Sequence, residues 1–503
     1  MMITVLESIL FSESLSAIEQ KLRLLKKDVF EDNDRVIIKQ DIEDSYPYVD
    51  SAGVKLIEIQ KIINQVDIPN YFVLLVTPNP DIESEIKFIT EYYSVDSTPI
   101  NFTIRNGKYK KEVVKYNDTA CKKLWNHLYV GTDNNINPCC LADHKFPLGS
   151  LNVSNTVDDI INSKKSNQIR QWMKEGYRPA ACQTCYTKED NNIPSARIPF
   201  NDFDQGINIT ILDIRINNIC NFKCRMCSEY FSSAIQQETI KLYGKDAVLG
   251  HEQNLMMSSS LTERRKQLDK VMPYISNKIE NIYFAGGEPL ITDEHYQILD
   301  KLIDINHTNL QLRYNTNLST LIYKNNNVID YWNQFSDVEV GASVDASDAV
   351  AEYVRHGTVW TEIVENINKI KKQAPNVKLK ITSTVSFLTI ENLISLQNKW
   401  IDEKIFKIDD LSLNVLINPS YLSPAALPQH HKDRLSKSIS NHIDRFGGTR
   451  LAERWQDVLS YMMNNDSTHT LSDFVQRTRV LDTHRKESFI NVFPEFHDLL
   501  CLK

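Results

Sequence analysis

Eight of the nine cysteines in this 503-residue chain lie between Cys121 and Cys227, and the ninth, Cys501, stands almost at the end. Nine cysteines are too few for a disulfide scaffold, and the number is odd. In a reducing compartment, clustered thiols serve in metal ligation or in redox chemistry. Their distribution therefore predicts a metal or redox centre in this part of the chain, with chance clustering of buried thiols and zinc binding as the alternatives.

One group of three cysteines has the spacing C-x3-C-x2-C, from Cys220 through Cys224 to Cys227. Three thiolates can ligate three irons of a [4Fe–4S] cluster and leave the fourth iron without a protein ligand. An open iron is what a chelating substrate needs, whereas a structural zinc site favours four protein ligands. Asn221 and Arg225 are polar residues of the same loop, and for them we expect contact with solvent.

A glycine-rich motif, AGGEP, stands at the end of a later strand-like stretch. Gly286 and Gly287 allow a ligand to approach the backbone closely, and Glu288 offers a carboxylate to an amino group. Alone, the motif indicates a turn. Its position one strand after the cysteine loop favours a common site for the two motifs.

Strand-like and helix-like stretches alternate from about residue 207, and these elements must position both motifs. The alternation predicts an α/β fold with parallel strands and right-handed crossovers, and six strands suit an open partial (β/α)6 barrel better than a closed eight-stranded one. Residues at the C-terminal ends of parallel strands meet at the barrel mouth. The strand candidates are Ile209–Ile216, Asn281–Ala285, Leu310–Asn315, Val338–Val344, Val377–Val385 and Leu411–Ile417, and the helix candidates include Leu261–Ile275, Asp293–Ile305, Val359–Lys372 and Glu391–Asp402.

Residues 1–115 form a predicted small α/β domain of unknown role. Neither G-x-G-x-x-G nor G-x-x-x-x-G-K-[ST] is present there, so nothing in this domain predicts nucleotide binding. Its strand candidates are Arg35–Gln40, Tyr71–Thr77 and Pro99–Ile104, and its helix candidates are Val54–Val66 and Ile82–Tyr93.

Residues 116–206 are rich in loops and hold the other five cysteines, with one helix-like stretch, Val157–Glu175. A segment with so little apolar surface needs cross-links, which an inorganic centre supplies. After the barrel the sequence becomes helical up to its end. The predicted domains are therefore 1–115, 116–206, 207–425 and 426–503.

The composition excludes several classes of protein. Hydrophobic residues make up 42% and charged residues 24% of the chain, which is ordinary for a globular protein and excludes wholesale disorder. A net charge of −8 makes nucleic acid an unexpected partner, because phosphate binding requires a basic excess. The best apolar run, Tyr71–Thr77, has the length of a strand, and Met1–Phe11 has no basic segment. We therefore expect no membrane span, no signal peptide and a cytoplasmic protein.

CNFKCRMC and AGGEP together make residues 207 to about 420 similar to the radical S-adenosylmethionine (radical SAM) family. The resemblance implies that the three cysteines of the loop hold a [4Fe–4S] cluster. It also implies that the amino and carboxylate groups of S-adenosylmethionine (SAM) chelate the open iron. Gly286, Gly287 and Glu288 are then the residues that bind the SAM amino group.

Further residues match the SAM contacts of the family. Asn317, in the segment YNTN, resembles the turn after the third strand. Ser343 and Asp345, followed by Arg355, resemble the S-x-D and Arg that contact the SAM ribose and carboxylate. For Asn317, Asp345 and Arg355, a turn former or a surface ion pair is the alternative.

The sequence departs from the radical SAM pattern at two places. Met226 stands before the third cysteine, where the family usually has an aromatic residue that packs on adenine, and methionine is soft and apolar enough to fill that place. The interval between Cys227 and Gly286 is also long, which an inserted helical lid would explain.

The segment from Cys121 to Cys185, with Gly149 and Trp172 between them, resembles the SPASM/twitch family of auxiliary iron–sulfur domains. That family usually places the domain after the barrel, and here it comes before. Five cysteines suffice for one further [4Fe–4S] cluster but not for two with cysteine ligands only. The twitch type, which holds one cluster, is therefore the better match.

Adjacent Cys139 and Cys140 rarely both reach one cluster, because consecutive side chains diverge in an extended segment. Four thiolates would close the auxiliary cluster, which favours electron transfer over direct ligation of the substrate. A structural zinc ion at the same positions is the alternative. The expected ligands are Cys121, Cys140, Cys182 and Cys185, with Cys139 as the alternative to Cys140.

The resemblance implies an enzyme that cleaves SAM reductively to a 5′-deoxyadenosyl radical and abstracts hydrogen from its substrate. Relatives with auxiliary clusters mostly modify peptides or proteins, and some oxidise carbohydrate-type small molecules. We therefore expect a peptide or protein substrate, a small-molecule dehydrogenase as the runner-up, and an electron donor such as flavodoxin or ferredoxin. A non-catalytic iron–sulfur or zinc binding protein is the alternative from another class. The sequence assigns no catalytic base.

Overall fold

The computed structural model of the chain describes residues 116–247 and 261–501, apart from 117, 145, 153, 155, 191–194, 205 and 216, together with six strands that precede them. The expected helices Val54–Val66 and Ile82–Tyr93 lie outside the described residues. The six strands are β1 (Met2–Glu7), β2 (Arg35–Ile38), β3 (Tyr48–Asp50), β4 (Tyr71–Thr77), β5 (Asn101–Arg105) and β6 (Lys108–Glu112).

Strands β1 to β4 form an antiparallel sheet in the order β1-β4-β2-β3, and β5 pairs with β6 as a hairpin. The β-branched and aromatic run Tyr71–Thr77 forms a strand with the bounds that the sequence predicted. The other two predicted strands of this region are present with ends shifted by one or two residues.

The chain divides into two compact units. The first comprises residues 1–127 and 136–208, and the second comprises residues 128–135 and 209–503. The finer division into four domains stays a prediction.

The sequence predicted one continuous helix, Val157–Glu175, in the first unit. This prediction is wrong, because the structure has two helices there. They are α2 (Val157–Ile161) and α3 (Lys164–Lys174). The side chain of Ser163 accepts a hydrogen bond from the Ser166 N–H and so caps a new helix start. The first unit also contains α1 (Lys123–Asn126), β9 (Gly149–Ser150) and α4 (Gln183–Asp190). The strands β7 (His127–Val130) and β8 (Asn135–Asn137) stand at the two ends of segment 128–135, which belongs to the second unit.

The second unit contains six parallel strands in the order β10-β12-β13-β16-β18-β19. Every second residue from Leu379 to Val385 is buried, as the alternating apolar pattern of this stretch requires. In the described part of the chain, β19 pairs only with β18, so the sheet is open at that edge, as an incomplete barrel is. The strands are β10 (Ile211–Ile214), β12 (Asn281–Phe284), β13 (Gln311–Thr316), β16 (Asp337–Ala342), β18 (Val377–Val385) and β19 (Leu411–Val415).

Helices connect these strands, and among the described residues four α-helices follow β19, which confirms the α/β fold with a helical C-terminal region. Two helices occupy the long interval between the cysteine loop and the glycine motif, namely α5 (Ser233–Tyr243) and α6 (Leu261–Val271). The others are α7 (Asp293–Asp304), α8 (Val328–Trp332), α9 (Asp348–Val354), α10 (Trp360–Gln373), α11 (Ile390–Asp402), α12 (Gln429–Arg445), α13 (Arg450–Asn464), α14 (Leu471–Arg485) and α15 (Phe489–Val492). Among the described residues, no helix is both long enough and apolar enough to cross a membrane.

Candidate active site

The three-cysteine loop begins shortly after β10 and is held in place by a short ladder. Strand β11 (Lys223–Cys224) pairs antiparallel with β17 (Arg355–His356), so that Cys224 lies opposite Arg355. The Cys227 N–H donates to the Cys224 carbonyl at 3.1 Å, which turns the chain back on itself. As a result, Cys220, Cys224 and Cys227 all line one cavity of about 860 Å³.

These cysteines are half-buried, and their partial burial affects the protonation of the thiols. Burial raises the pKa of Cys227 to about 12 and raises the pKa of Cys220 strongly. Burial also raises the pKa of Cys224, although the neighbouring Arg355 opposes that shift. Free thiols at these positions therefore keep their protons, and a bound metal centre would supply the positive charge that the thiolates need.

Zinc and iron–sulfur centres require different distances between the thiolates that bind them. Thiolates that share one tetrahedral zinc ion stand about 3.8 Å apart. Thiolates of a [4Fe–4S] cluster bind different irons and stand further apart. In the described part of the chain, no three cysteine sulfurs lie within 4.8 Å of one another.

The two glycines of AGGEP allow this turn to lie against the cysteine loop. Gly286 has a φ of +119°, a backbone conformation that other residues rarely adopt. A Cβ at Gly287 would stand 2.1 Å from the carbonyl oxygen of Ile219, the residue before Cys220. The Glu288 N–H donates to that same carbonyl at 2.7 Å. The motif therefore joins the glycine turn to the start of the cysteine loop, and both turns line the cavity.

The side chain of Glu288 is buried and already accepts three hydrogen bonds. Its oxygens accept from the Thr316 hydroxyl at 2.7 Å, from the Asn317 N–H at 2.6 Å and from the Leu290 N–H at 3.1 Å. Burial raises the pKa of Glu288 to about 7, and these hydrogen bonds oppose the shift. A carboxylate accepts about four hydrogen bonds, so one position is left for a ligand amino group. Binding of the SAM amino group by Glu288 stays a prediction.

Asn317 links the turn after β13 to the cysteine loop. Its amide donates to Asn221 Oδ1 at 2.9 Å, and the Asn221 amide donates to the Ser319 hydroxyl at 2.9 Å. Asn221 is exposed, as the expected contact with solvent requires, and these hydrogen bonds come in addition to that contact. The two asparagines hold two neighbouring turns of the cavity together.

Asp345 and Arg355 form a buried ion pair, so the alternative of a surface ion pair is wrong. Arg355 donates to Asp345 from Nε at 2.6 Å and from Nη2 at 3.0 Å, and the Thr384 N–H donates to the same carboxylate. Burial alone would lower the pKa of Arg355, but the charges of Asp345 and Cys224 raise it. Ser343 and Arg355 line the cavity, whereas Asp345 is 1% exposed and holds the arginine.

Arg225 is buried, and the expectation that it contacts solvent is wrong. Its Nη2 donates to Asp482 and to Glu487, each at 2.6 Å, and its guanidinium lies 3.7 Å from the ring centroid of Tyr353. A buried arginine requires such partners, because an unpaired charge in the interior is costly. Both carboxylates stand more than 250 residues away in sequence, in the C-terminal region.

The C-terminal region also forms part of the cavity wall, which the sequence analysis missed. Glu238 of α5 accepts from Lys223 at 3.0 Å and from Arg485 at 2.6 Å, so the end of α14 is fastened beside the cysteine loop. Arg477, Leu481 and Arg485 line the cavity. Residues spaced by four lie on one face of a helix, so this spacing is the sequence pattern from which a shared orientation of the three side chains could have been predicted. Met226 also lines the cavity.

In the first unit, two segments bring the auxiliary cysteines together. The Asp143 N–H donates to the Ala181 carbonyl at 3.0 Å, which joins the turn after Cys140 to the residue before Cys182. Buried Arg197 donates to the Ala120 carbonyl at 2.6 Å and pairs with Asp118 and Glu189. These contacts connect the chain beside Cys121 to the helix α4 that carries Cys185.

Cys139, the alternative to Cys140, has a thiol that lies near two other expected ligands. Burial raises the pKa of Cys139 to about 11, and nearby Cys121 and Cys185 add to the shift. Burial likewise raises the pKa of Cys121, with a further contribution from Cys185. The choice between Cys139 and Cys140 as the ligand stays a prediction.

Two family profiles match the chain. The SPASM profile, which describes an iron–sulfur cluster-binding domain, matches residues 121–186, and the radical SAM superfamily profile matches residues 214–393. The chain therefore contains a radical SAM domain and, before it, a SPASM domain. These two domains indicate an enzyme that uses a [4Fe–4S] cluster and SAM as cofactors, with further iron–sulfur in the SPASM domain. The SPASM domain precedes the radical SAM domain, in the order that the two cysteine groups predicted.

Several solved structures are similar to parts of this chain. A structure entitled anSMEcpe with bound AdoMet is 20% identical, covers 47% of this chain and 59% of its own, and has a TM-score of 0.32. Streptococcus suis SuiB bound to its precursor peptide SuiA is 12% identical, covers 61% of this chain and 58% of its own, and has a TM-score of 0.30. The chain thus spans less than two thirds of either protein. No curated protein matches it.

Proposed function

We propose that this radical SAM enzyme cleaves SAM reductively and abstracts a hydrogen atom from a peptide or protein substrate. The observation that supports the proposal is that the three-cysteine loop and the AGGEP turn line the same cavity. When bound, the cluster and SAM supply a 5′-deoxyadenosyl radical. The cavity is at the large end of the range for small-molecule sites, about 300–1,000 Å³, which leaves room for part of a substrate beside SAM.

The residues of the chain have separate tasks in this proposal. Cys220, Cys224 and Cys227 hold the cluster, and their loop is fixed by the ladder between β11 and β17. Gly286, Gly287 and Glu288 bind the SAM amino group. Asn317, Ser343 and Arg355 line the same wall and contact the rest of SAM, while Asp345 orients Arg355. The enclosing α5 and α14 keep water from the reacting groups.

Peptide or protein modification is the proposed reaction class because it is the usual one among radical SAM enzymes with auxiliary clusters. Oxidation of a carbohydrate-type small molecule is the second candidate. The auxiliary cluster, held by Cys121, Cys182, Cys185 and one of Cys139 and Cys140, would transfer electrons, since four thiolates leave no open iron. We also propose that residues 1–115, for which the sequence predicts no ligand, take part in substrate recognition.

A flavodoxin or a ferredoxin is the proposed electron donor. All eight described cysteines are free of disulfide bonds, which supports a reducing compartment such as the cytoplasm. No nucleic acid partner is proposed for a chain with a net charge of −8.

The test is anaerobic purification and reconstitution with iron and sulfide, followed by incubation with dithionite and SAM. The wild type should hold about eight irons, four per cluster, and should form 5′-deoxyadenosine. Cys224→Ala should lose about four irons and all 5′-deoxyadenosine, whereas Cys501→Ala, outside both cysteine groups, should behave as the wild type.

Two outcomes would change the proposal. Retention of iron without 5′-deoxyadenosine, even with peptides present, would support a non-catalytic iron–sulfur protein. About four irons with cleavage retained would assign zinc or a purely structural role to the auxiliary cysteines.

A further inference from the structure

Helix α14 presents a stripe of three side chains to the active-site cavity. Arg477, Leu481 and Arg485 are spaced by four residues and therefore lie on one face of the helix. The stripe has a positive charge at each end and an apolar residue between them. This wall belongs to the C-terminal region, beyond the segment that the radical SAM profile matches.

Most of the arginines that line the cavity have a carboxylate partner in the protein. These pairs are Arg215 with Asp213, Arg225 with Asp482 and Glu487, Arg355 with Asp345, and Arg485 with Glu238. Arg477 is different: among the described residues, no carboxylate oxygen lies within 4.0 Å of its guanidinium. The guanidinium is exposed and lies over the ring of Tyr421, 5.2 Å from its centroid.

Arg485 leaves a second donor unused at the other end of the stripe. Its side chain is 2% exposed, and its Nε and Nη2 donate to Glu238. Its Nη1 is buried and has no hydrogen-bond partner among the described residues. A buried donor without a partner costs free energy that a ligand acceptor would recover.

The carboxylates of the cavity are engaged elsewhere. Glu238 pairs with Arg485, Glu288 accepts from the turn after β13, and Glu229 accepts from the Thr239 hydroxyl at 2.6 Å. Arg355, rather than Arg477, is the arginine in contact with a cysteine of the cluster loop. Arg477 is therefore available for an anion other than the carboxylate of SAM.

We propose that Arg477, with Arg485 beside it, binds a carboxylate of the substrate, so that the preferred substrate is a peptide with Glu or Asp near the modified residue. A guanidinium binds a planar carboxylate through two parallel hydrogen bonds, which supplies orientation as well as affinity. The inference rests on the proposed function, because it assumes that the cavity receives a peptide.

The probes are two fluorescein-labelled hexapeptide mixtures, identical except that one fixed position is Glu in the first and Gln in the second. Binding to the reconstituted protein with SAM is followed by fluorescence anisotropy. The wild type should bind the Glu mixture about tenfold more tightly, which corresponds to one charge-assisted hydrogen-bonded contact. Arg477→Gln should abolish the preference, and Arg477→Glu should favour a third mixture with Lys at that position.

Arg479→Gln is the matched control. Arg479 is exposed on the same helix, does not line the cavity and donates to the Leu500 carbonyl at 2.8 Å. This variant should keep the tenfold preference. The SAM dissociation constant of each variant, measured in the same preparations, shows whether the substitution acts on SAM instead of on the peptide.

Three results would overturn the inference: no preference for Glu in the wild type, a preference that survives in Arg477→Gln, or a loss of SAM affinity in Arg477→Gln as large as the loss of peptide affinity.

Formation of 5′-deoxyadenosine separates the two proposals. Cleavage without a preference for Glu would leave the proposed function standing and remove the inference alone. A preference for Glu without cleavage of SAM would support the binding of a substrate carboxylate and remove the proposed cleavage.

Discussion

The guanidinium Nη1 of Arg355 lies 3.8 Å from the Sγ of Cys224. Arg355 also donates two hydrogen bonds to the buried carboxylate of Asp345, which fix the position of its side chain in the absence of a ligand. The antiparallel pairing of β11 with β17 places the two residues opposite each other. The charge of the arginine is therefore a permanent part of the surroundings of the cluster loop.

Replacement of Arg355 should lower the reduction potential of the SAM-binding cluster. A positive charge and a hydrogen bond at a ligating sulfur stabilise the reduced cluster, which has one more negative charge. We expect Arg355→Gln to lower the midpoint potential by about 60 mV, which for one electron equals about 1.4 kcal/mol, and Arg355→Lys to lower it less. Redox titration followed by electron paramagnetic resonance measures both, and an unchanged potential in Arg355→Gln would refute the prediction.

Glu288 makes the stability of the protein depend on pH. Burial raises the pKa of Glu288 from 4.5 to about 7 in the folded chain, so the folded state keeps a proton that the unfolded state has lost. Stability should therefore fall by up to about 3 kcal/mol as pH rises from 4.5 to 7, and should not change further above pH 7 on this account.

The variant Glu288→Gln removes this titration. We compare the free energy of unfolding of the variant with that of the wild type at each pH. The difference, variant minus wild type, should increase from pH 5 to pH 7.5. At pH 5 the variant is expected to be the less stable protein, because the Asn317 N–H loses its acceptor. Urea unfolding at the two pH values measures the difference, with the exposed Glu453→Gln as control. A difference independent of pH would contradict the prediction.

Cys139 should be the auxiliary ligand of the adjacent pair. Its thiol is near Cys121 and Cys185, and a cluster that binds those two requires a further thiolate close to them. We expect Cys139→Ala to lose about four irons and Cys140→Ala to keep them. Iron and sulfide analysis of the two reconstituted variants decides this, and the reverse result would restore Cys140 as the ligand that the sequence favoured.

The ion pairs of Arg225 should contribute strongly to stability. The arginine side chain is 4% exposed, so Arg225→Gln leaves Asp482 and Glu487 without their shared charged partner. We expect the free energy of unfolding to fall by about 3 kcal/mol. Arg454→Gln, which removes an exposed pair with Asp457, should cost less than about 1 kcal/mol. Equal losses in urea unfolding of the two variants would show that the pairs of Arg225 contribute no more than a surface pair.

The sequence alone determined the two matched domains and their order along the chain. C-x3-C-x2-C and AGGEP are local motifs, and their chemistry depends on residues that stand a few positions apart. The strand Val377–Val385 was also predictable to the residue, because alternating burial produces a period of two in the apolar residues. Local spacing was sufficient in each of these cases.

Only the tertiary structure decided the surroundings of the motifs. Arg225 pairs with Asp482 across 257 positions, and Arg485 pairs with Glu238 across 247. No local pattern marks such pairs, because the burial of a charge depends on which distant segment packs against it. For the same reason, the sequence treated Arg225 as a solvent contact and did not find that Arg477 lines the cavity. Spacing along the chain determines which residues are neighbours in an element, and packing between distant elements determines which charges are left for a ligand.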